Sequence, residues 1–281
     1  MTLHWNHVRI HAPERTGAGG ISRPQPPGAL AELVRDVRAA DPANRWFFHW
    51  ADDCEQAGID LWAGVAPGVS QEMERRFSDV APELGVPPEN TPAFGEFRVS
   101  ATRRPRALEI EFGDDVAMAS SELALAVMRE PALDYRAQLT LAVWHLRHVV
   151  ALIGESGRRG FLFQCWQHRT ARLTPAQRTE LCARSAEAVG VFEEGLPAMG
   201  PDAERGWDGY LRTLRRNAQA WAAEDVPVNY LLFEHSHLTL RRLRVPPSVE
   251  ALAARTVRAA LTPSGADRRP IAVPRAVLQT A

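Results

Sequence analysis

Lysine is missing altogether from this 281-residue sequence, and all thirty-three of its strongly basic side chains are arginine. Without a side-chain primary amine the chain cannot form a Schiff base, and no phosphate loop can carry its usual lysine. Pyridoxal chemistry and Walker-type nucleotide hydrolysis are therefore excluded. Cysteine is scarce, and Cys54, Cys165 and Cys182 show no paired spacing. That favours a reducing compartment over a secreted disulfide scaffold. No apolar run approaches the roughly eighteen residues of a membrane span, and the polar, histidine-containing stretch Met1 to His11 lacks the apolar core of an export signal. A cytoplasmic protein outside the membrane is expected. Net charge is nearly absent as well, with thirty-three basic residues against thirty-four acidic ones. The whole-chain field thus draws in neither nucleic acid nor an anionic membrane, and a charged partner must be held by local patches.

What is present is a globular composition, 45% apolar and 24% charged, enough for one large core or two modest ones. Leu3 to His11 alternates in character and reads as a strand, followed by a Gly/Pro-rich connection from Gly17 to Gly28. Leu30, Leu33, Val34 and Val37 fall at helical spacing up to Ala40, where Asp41-Pro42 stops the helix. Trp46 to Trp50 and Ile59 to Val65 form two strands of an antiparallel hairpin around a polar loop, and Phe94 to Thr102 with Ala107 to Phe112 predicts a second pair. From Ala119 the period changes to helical. Segments are expected at Glu122 to Arg129, Tyr135 to Ile153, Pro175 to Phe192, Trp207 to Ala223, Val228 to Leu243 and Ser248 to Leu261. The fold class is α+β, with N-terminal antiparallel strands packed with a mainly helical C-terminal half. We read one domain over 1–281: strand-rich to about 115, helical to about 262, then an irregular tail.

Several clusters invite a functional reading and have a structural counterpart. His145 and His148 lie three apart on a helix, and His4 and His7 three apart near a strand, but no Cys or Glu completes a zinc spacing. Gly17-Ala18-Gly19-Gly20 lacks the strand before it and the helix after it that a dinucleotide fingerprint needs, and is a loop. Arg103, Arg104 and Arg106 at a turn, Arg158 and Arg159 at another, and Arg212, Arg215 and Arg216 on a helix are solvated faces or carboxylate-pairing patches.

Two stretches together carry a family resemblance. Trp46-Phe47-Phe48-His49-Trp50, a polar loop and Gly58-Ile59-Asp60-Leu61-Trp62 stand where the C-terminal module of lantibiotic dehydratases and its stand-alone thiopeptide-type relatives have an aromatic strand and then His-Leu-Arg-Leu-Arg. Leu231 to Leu243 resembles that family's Leu-x-His-Met-x-x-Asn-Arg-Leu helix, with His237 and Arg242 matching its His and Arg. Ser120-Ser121 stands at the family's Asp-Ser pair. Together these pieces span residues 3 to 262.

The departures matter. Glutamate-eliminating members handle a glutamylated Ser or Thr with those strand arginines, whereas this sequence has Asp60 and Trp62 there and His49 at the arginine position of the aromatic strand. An anionic Asp60 would repel a glutamyl carboxylate. The resemblance therefore points to the thiopeptide pyridine synthases, which join two dehydroalanines in a formal [4+2] aza-cycloaddition with loss of water and of the leader peptide. Such a reaction implies no cofactor. It needs a dehydrated, azole-containing precursor peptide with its leader as partner, and leaves room for a homodimer. Holding two distant parts of a flexible peptide together is worth about 7–11 kcal/mol, more than any nucleophile would add.

Proton traffic is then assigned to hydroxyls and imidazoles. Tyr210 could donate to the reacting amide oxygen; Ser100 and Thr102, about 7 Å apart on one strand face, could bind successive substrate amides. His237 could act as the acid for water loss. His49, Asp60 and Trp62 are expected to contact the substrate, with Trp62 as a stacking surface, and Arg103, Arg104, Arg212 and Arg215 to contact an acidic leader. Two other roles compete: a split dehydratase subunit that eliminates glutamate, and a non-catalytic module that binds the precursor.

Overall fold

The computed structural model describes residues 3–11, 28–41, 43–51, 58–73, 75, 109–111, 114–184, 190–191, 195–224 and 226–261. The elements bounded within them include three strands, β1 (His4–His11), β2 (Arg45–Ala51) and β3 (Gly58–Val65), and eight α-helices. These are α1 (Gly28–Ala40), α2 (Asp115–Met128), α3 (Tyr135–Ala151), α4 (Glu155–Thr170), α5 (Pro175–Arg184), α6 (Pro201–Ala223), α7 (Val228–Arg242) and α8 (Pro247–Ala260). The α+β class expected from the residue pattern is what forms.

The chain divides into two compact units. The first comprises Met1–Pro131, Met199–Asn217 and Arg241–Leu243. Its sheet runs in the order β1-β3-β2, all antiparallel, so the hairpin strand β3 becomes the centre. Register places Trp46, Phe48, Trp50, Ile59, Leu61 and Ile10 on one face, and every one of them is buried. The apolar stripe of α1, Leu30, Leu33, Val34 and Val37, is also buried, and Arg38 of the same helix lies over the Trp46 ring. The opposite face carries Trp5, Phe47 and Trp62, which cluster with Ala117 of α2. Gly64 lies directly across from Trp5, and a Cβ there would stand 2.9 Å from the indole, so glycine is what lets the ring lie flat on the strand.

The second unit comprises Ala132–Ala198, Ala218–Leu240 and Arg244–Ala281. Within it α8 packs against both α3 and α4, and Val249, Leu252, Ala253 and Val257 supply its buried side. Local signals set the helix starts. Asp134 caps α3 by accepting from the Ala137 N–H at 2.8 Å, and Thr174 with Gln177 makes a reciprocal capping box before α5. The end of α7 is equally defined. Arg244 takes φ 59° and the Val245 N–H reaches back to Leu240 O at 2.9 Å, the bonding of a Schellman stop.

Some expectations change. Glu109–Glu111, read as part of the strand Ala107 to Phe112, is a 3-10 turn. The first helix of the helical half begins at Asp115 rather than Glu122, because the Asp114 carboxylate caps it from Val116 N at 2.6 Å. Helix α4 had no counterpart in the periodicity analysis, and α6 begins six residues before Trp207, at Pro201, a favoured residue for a first turn. The strand expected at Phe94 to Thr102 and the tail from Pro263 lie outside the described residues. Among the described residues no helix is long and apolar enough to cross a membrane.

Candidate functional site

The first unit gathers Phe48, His49, Trp50 and Ser120 of the family resemblance around the Arg242 guanidinium and its backbone. As the outer strand, β2 has backbone groups on its open side that need partners. The Phe48 N–H donates to Ser121 Oγ at 3.3 Å, Phe48 O accepts from Arg242 Nε at 2.8 Å, and Trp50 O accepts from Arg241 Nη2 at 2.9 Å. The Trp50 indole in turn donates to Arg242 O at 3.0 Å. Side chains of α2 and the end of α7 thus meet this edge of the sheet, which pairs with no further strand among the described residues.

Arg242 is fully buried, and each of its three guanidinium nitrogens has a partner in this arrangement. Besides Phe48 O, it donates through Nη1 to Ser120 Oγ at 2.8 Å and through Nη2 to Glu111 Oε1 at 2.5 Å. His49 Nε2 lies 2.5 Å from the other Glu111 oxygen and 3.5 Å from Arg242 Nη2. Burial is the largest influence on His49 and lowers its pKa; Glu111 opposes that effect and Arg242 adds to it. A neutral imidazole beside one Arg and one Glu leaves the buried group with no net charge.

Asp60 and Trp62, neighbours of His49 on that face, are both engaged by β1. Asp60 Oδ1 is 3.0 Å from His7 Nε2, and the His7 ring stacks on Trp62 at 4.2 Å and 26°. Phe47 lies parallel to Trp62 on the other strand, 6.3 Å between centroids. Tyr210, also in this unit, is wholly enclosed. Arg212 is exposed and Arg215 half-buried on α6, where Arg216 donates to Asp115 at 2.7 Å. Ser100, Thr102, Arg103 and Arg104 lie outside the described residues.

The second unit holds His237 in a different setting. Its Nδ1 lies 3.4 Å from Glu250 Oε2, the same oxygen that Arg169 Nε approaches at 2.7 Å. Burial pushes the Glu250 pKa up to about 7, against the pull of Arg169. Glu250 is 5% exposed and His237 19%, so a carboxyl that titrates near neutrality stands behind an imidazole that reaches solvent. Such a pair can hold and release a proton. His235, two residues earlier, is instead buried and stacked on Trp221 at 5.4 Å. Buried His145 has a pKa lowered to about 3 by desolvation first and His148 second, and lies 3.5 Å from the Ser236 hydroxyl. Among the described residues no group of three or more His, Cys, Asp or Glu side chains is placed to hold a metal ion.

The partners Glu111, Arg169 and Glu250 carry no signal in the sequence, for none lies in a motif, and Glu111 stands 131 positions from Arg242. His7 was visible only as half of a histidine pair.

No family model and no curated protein matches the sequence. The fold is similar to that of the tRNA-dependent lantibiotic dehydratase MibB from Microbispora sp. 107891, at TM-score 0.56 and 16% identity, covering 92% of this chain and 28% of that one. It is similar to TsrL at TM-score 0.55 and 9% identity, covering 94% and 100%. It is similar to TbtD, the pyridine synthase from thiomuracin biosynthesis, at TM-score 0.51 and 14% identity, covering 92% and 97%. The chain spans under a third of MibB and almost all of the other two. At these identities the common property is the fold, one found in enzymes of lantibiotic and thiopeptide biosynthesis.

Proposed function

We propose that this chain is a pyridine synthase of thiopeptide maturation, closing a ring between two dehydroalanines of a ribosomal precursor peptide. The observation that carries the proposal is the face of β3. Where the resemblance would place two guanidinium groups to handle a glutamyl carboxylate, the chain has Asp60 tied to His7 and Trp62 stacked on the same imidazole. Likeness in fold to the pyridine synthase TbtD over nearly its whole length supports the same reading.

In this mechanism one dehydroalanine supplies two carbons, and the second, with its adjoining amide tautomerised to an imidic acid, supplies the four-atom azadiene. Two new bonds close a six-membered ring. Loss of water and then of the leader as a carboxamide leaves the aromatic pyridine. The chain's own contribution is alignment, with proton transfers at three points: the amide oxygen, the amide N–H and the departing hydroxyl. We assign the amide oxygen to Tyr210 and successive substrate amides to Ser100 and Thr102. Water loss falls to His237, which Glu250 can recharge at neutral pH. Arg103, Arg104, Arg212 and Arg215 are assigned to an acidic leader.

The test is direct. Purified chain is incubated with a thiazole-bearing bis-dehydroalanine peptide carrying its leader, and mass spectrometry should record loss of leader carboxamide plus water. Release of glutamate from a glutamylated peptide, with no ring formed, would establish elimination instead and overturn the proposal. Tyr210→Phe should slow turnover and leave leader affinity unchanged. Because the phenol is enclosed, a drop in thermal stability at unchanged turnover would assign Tyr210 to packing and remove it from the mechanism.

A further inference from the structure

The second unit contains a cleft that none of the assignments above uses. Gln164, Gln167 and His168 line it from one face of α4, and Pro227, Asn229, Tyr230 and Phe233 from the start of α7. Its volume is about 720 Å³, within the range of ligand-binding clefts. Gln164, Gln167, Asn229 and Tyr230 are all exposed, so the cleft opens to solvent along its length and suits a segment of chain better than an enclosed small molecule.

Its chemistry is specific. Among the described residues no carboxylate and no guanidinium lines it. Three carboxamides do, each able to donate an N–H and accept at its oxygen, which is the complement of a peptide group. None of the three is engaged by another side chain among the described residues. The aromatic wall is held in place: Phe233 meets Phe161 edge-on at 6.4 Å and His168 edge-on at 5.3 Å. The exposed ring of Tyr230 stands one turn earlier on α7. The charges that reach the lining, Glu234 at Tyr230 and Arg169 at His168, are opposite in sign and stand off the lining, so neither an anion nor a cation is matched, whereas an uncharged backbone finds both halves of its hydrogen-bonding requirement and a flat apolar wall.

We infer that the α4–α7 cleft binds an uncharged peptide segment bearing planar or apolar side chains, through its main-chain amides. This rests on the proposal that the chain handles a peptide, but not on which bonds it makes. The measurement therefore reads binding without turnover, so that the two can fail separately. Full-length protein is titrated calorimetrically with an acetylated, amidated hexapeptide of alternating serine and phenylalanine, and with the same peptide carrying glutamate for serine. The neutral peptide should bind and the acidic one should bind more weakly. The exposed pair Gln164→Ala/Gln167→Ala should lower affinity by about tenfold, as should Tyr230→Ala, while Glu180→Ala on exposed α5 should leave it unchanged. Tighter binding of the acidic peptide, or equal binding by all variants, would overturn the inference. So would a change of sedimentation coefficient on Tyr230→Ala with peptide affinity intact, since that would make the cleft a contact between copies of this chain.

Discussion

Two buried ion pairs, one in each unit, differ in what they leave free. Around Arg242 each guanidinium nitrogen has a partner: the group, itself at 0% exposure, meets a backbone carbonyl, a serine hydroxyl and a carboxylate. Around Glu250 the ring of contacts is incomplete, with Arg169 close on one oxygen, His237 farther off and partly in solvent, and the carboxyl pushed up to about 7. An arginine does not titrate in the working range of a protein, so a cluster centred on one fixes geometry and little else. A cluster centred on a glutamate that titrates near neutrality can change charge while the fold stands. Ion pairs of similar appearance thus hold a strand edge in one unit and offer acid–base chemistry in the other.

The contrast can be broken most forcefully at Arg242. Replacing it by methionine takes the cation from the buried Glu111 carboxylate, which keeps only His49, and the donor from the Phe48 carbonyl, and should lower unfolding free energy in a urea titration by about 3–5 kcal/mol. A double replacement, Arg242→Met with Glu111→Leu, should recover much of that loss. If it does not, the edge contact to Phe48 rather than the charge pair is what counts.

Next comes Glu250, where the expected effect is one of pH. Its folded pKa lies above its ordinary value of 4.5, so the protonated form is favoured by folding. The resulting stability is full below about pH 4.5 and is lost as pH rises through about 7. The wild-type stability relative to Glu250→Gln should therefore fall by about 3 kcal/mol between those two pH values. Buried His49 and His145 act in the opposite direction, for their lowered pKa values cost stability as pH falls below 6.5. That is why the prediction concerns the difference between the two proteins. A difference that does not vary with pH would place Glu250 in the same fixed class as Glu111.

Smaller effects sharpen the comparison. Ser120→Ala removes one acceptor from Arg242 Nη1 and should cost about 1–3 kcal/mol in the same titration. His237→Gln, at a partly exposed position, should cost about 1 kcal/mol or less. It should also abolish water loss in the peptide assay if His237 is the acid. A large stability loss from His237→Gln with normal ring formation would make the second cluster as structural as the first.

The sequence pattern reveals these regions unequally. The hairpin β2–β3 announces itself because dense aromatic and aliphatic runs, each interrupted by a single titratable residue, His49 and Asp60, stand on either side of a polar loop, and α1 because Leu30, Leu33, Val34 and Val37 sit at helical spacing. Helix α4 is hidden: Glu155 to Gly160 is polar and has two glycines, and only Phe161, Leu162, Cys165 and Thr170 are buried. The start of α2 is hidden by its own packing, since a helix that touches a sheet closely needs Ala117, Ser120 and Ser121, and small residues carry no hydrophobic period. Arg242 and His49 could be singled out as members of a family pattern, but the carboxylate they share could not. Glu111 sits in an alternating Glu-Ile-Glu-Phe run that imitates a strand, and its closeness to a residue 131 positions later is a property of the fold alone.

The closure of β2 by Ser121, Arg241 and Arg242 has a further consequence, for synthesis. The Phe48 carbonyl and its guanidinium partner are 194 residues apart, so a ribosome releases the sheet long before it makes the cap. During that interval the Phe48 and Trp50 carbonyls lack the guanidinium donors of Arg241 and Arg242, and carbonyls without donors on a strand edge are the kind of border along which unfinished chains zip together. A transcript cut short ahead of codon 242 should consequently yield insoluble product, and the organism that makes this protein has reason to shield its nascent N-terminal third until the last turn of α7 emerges.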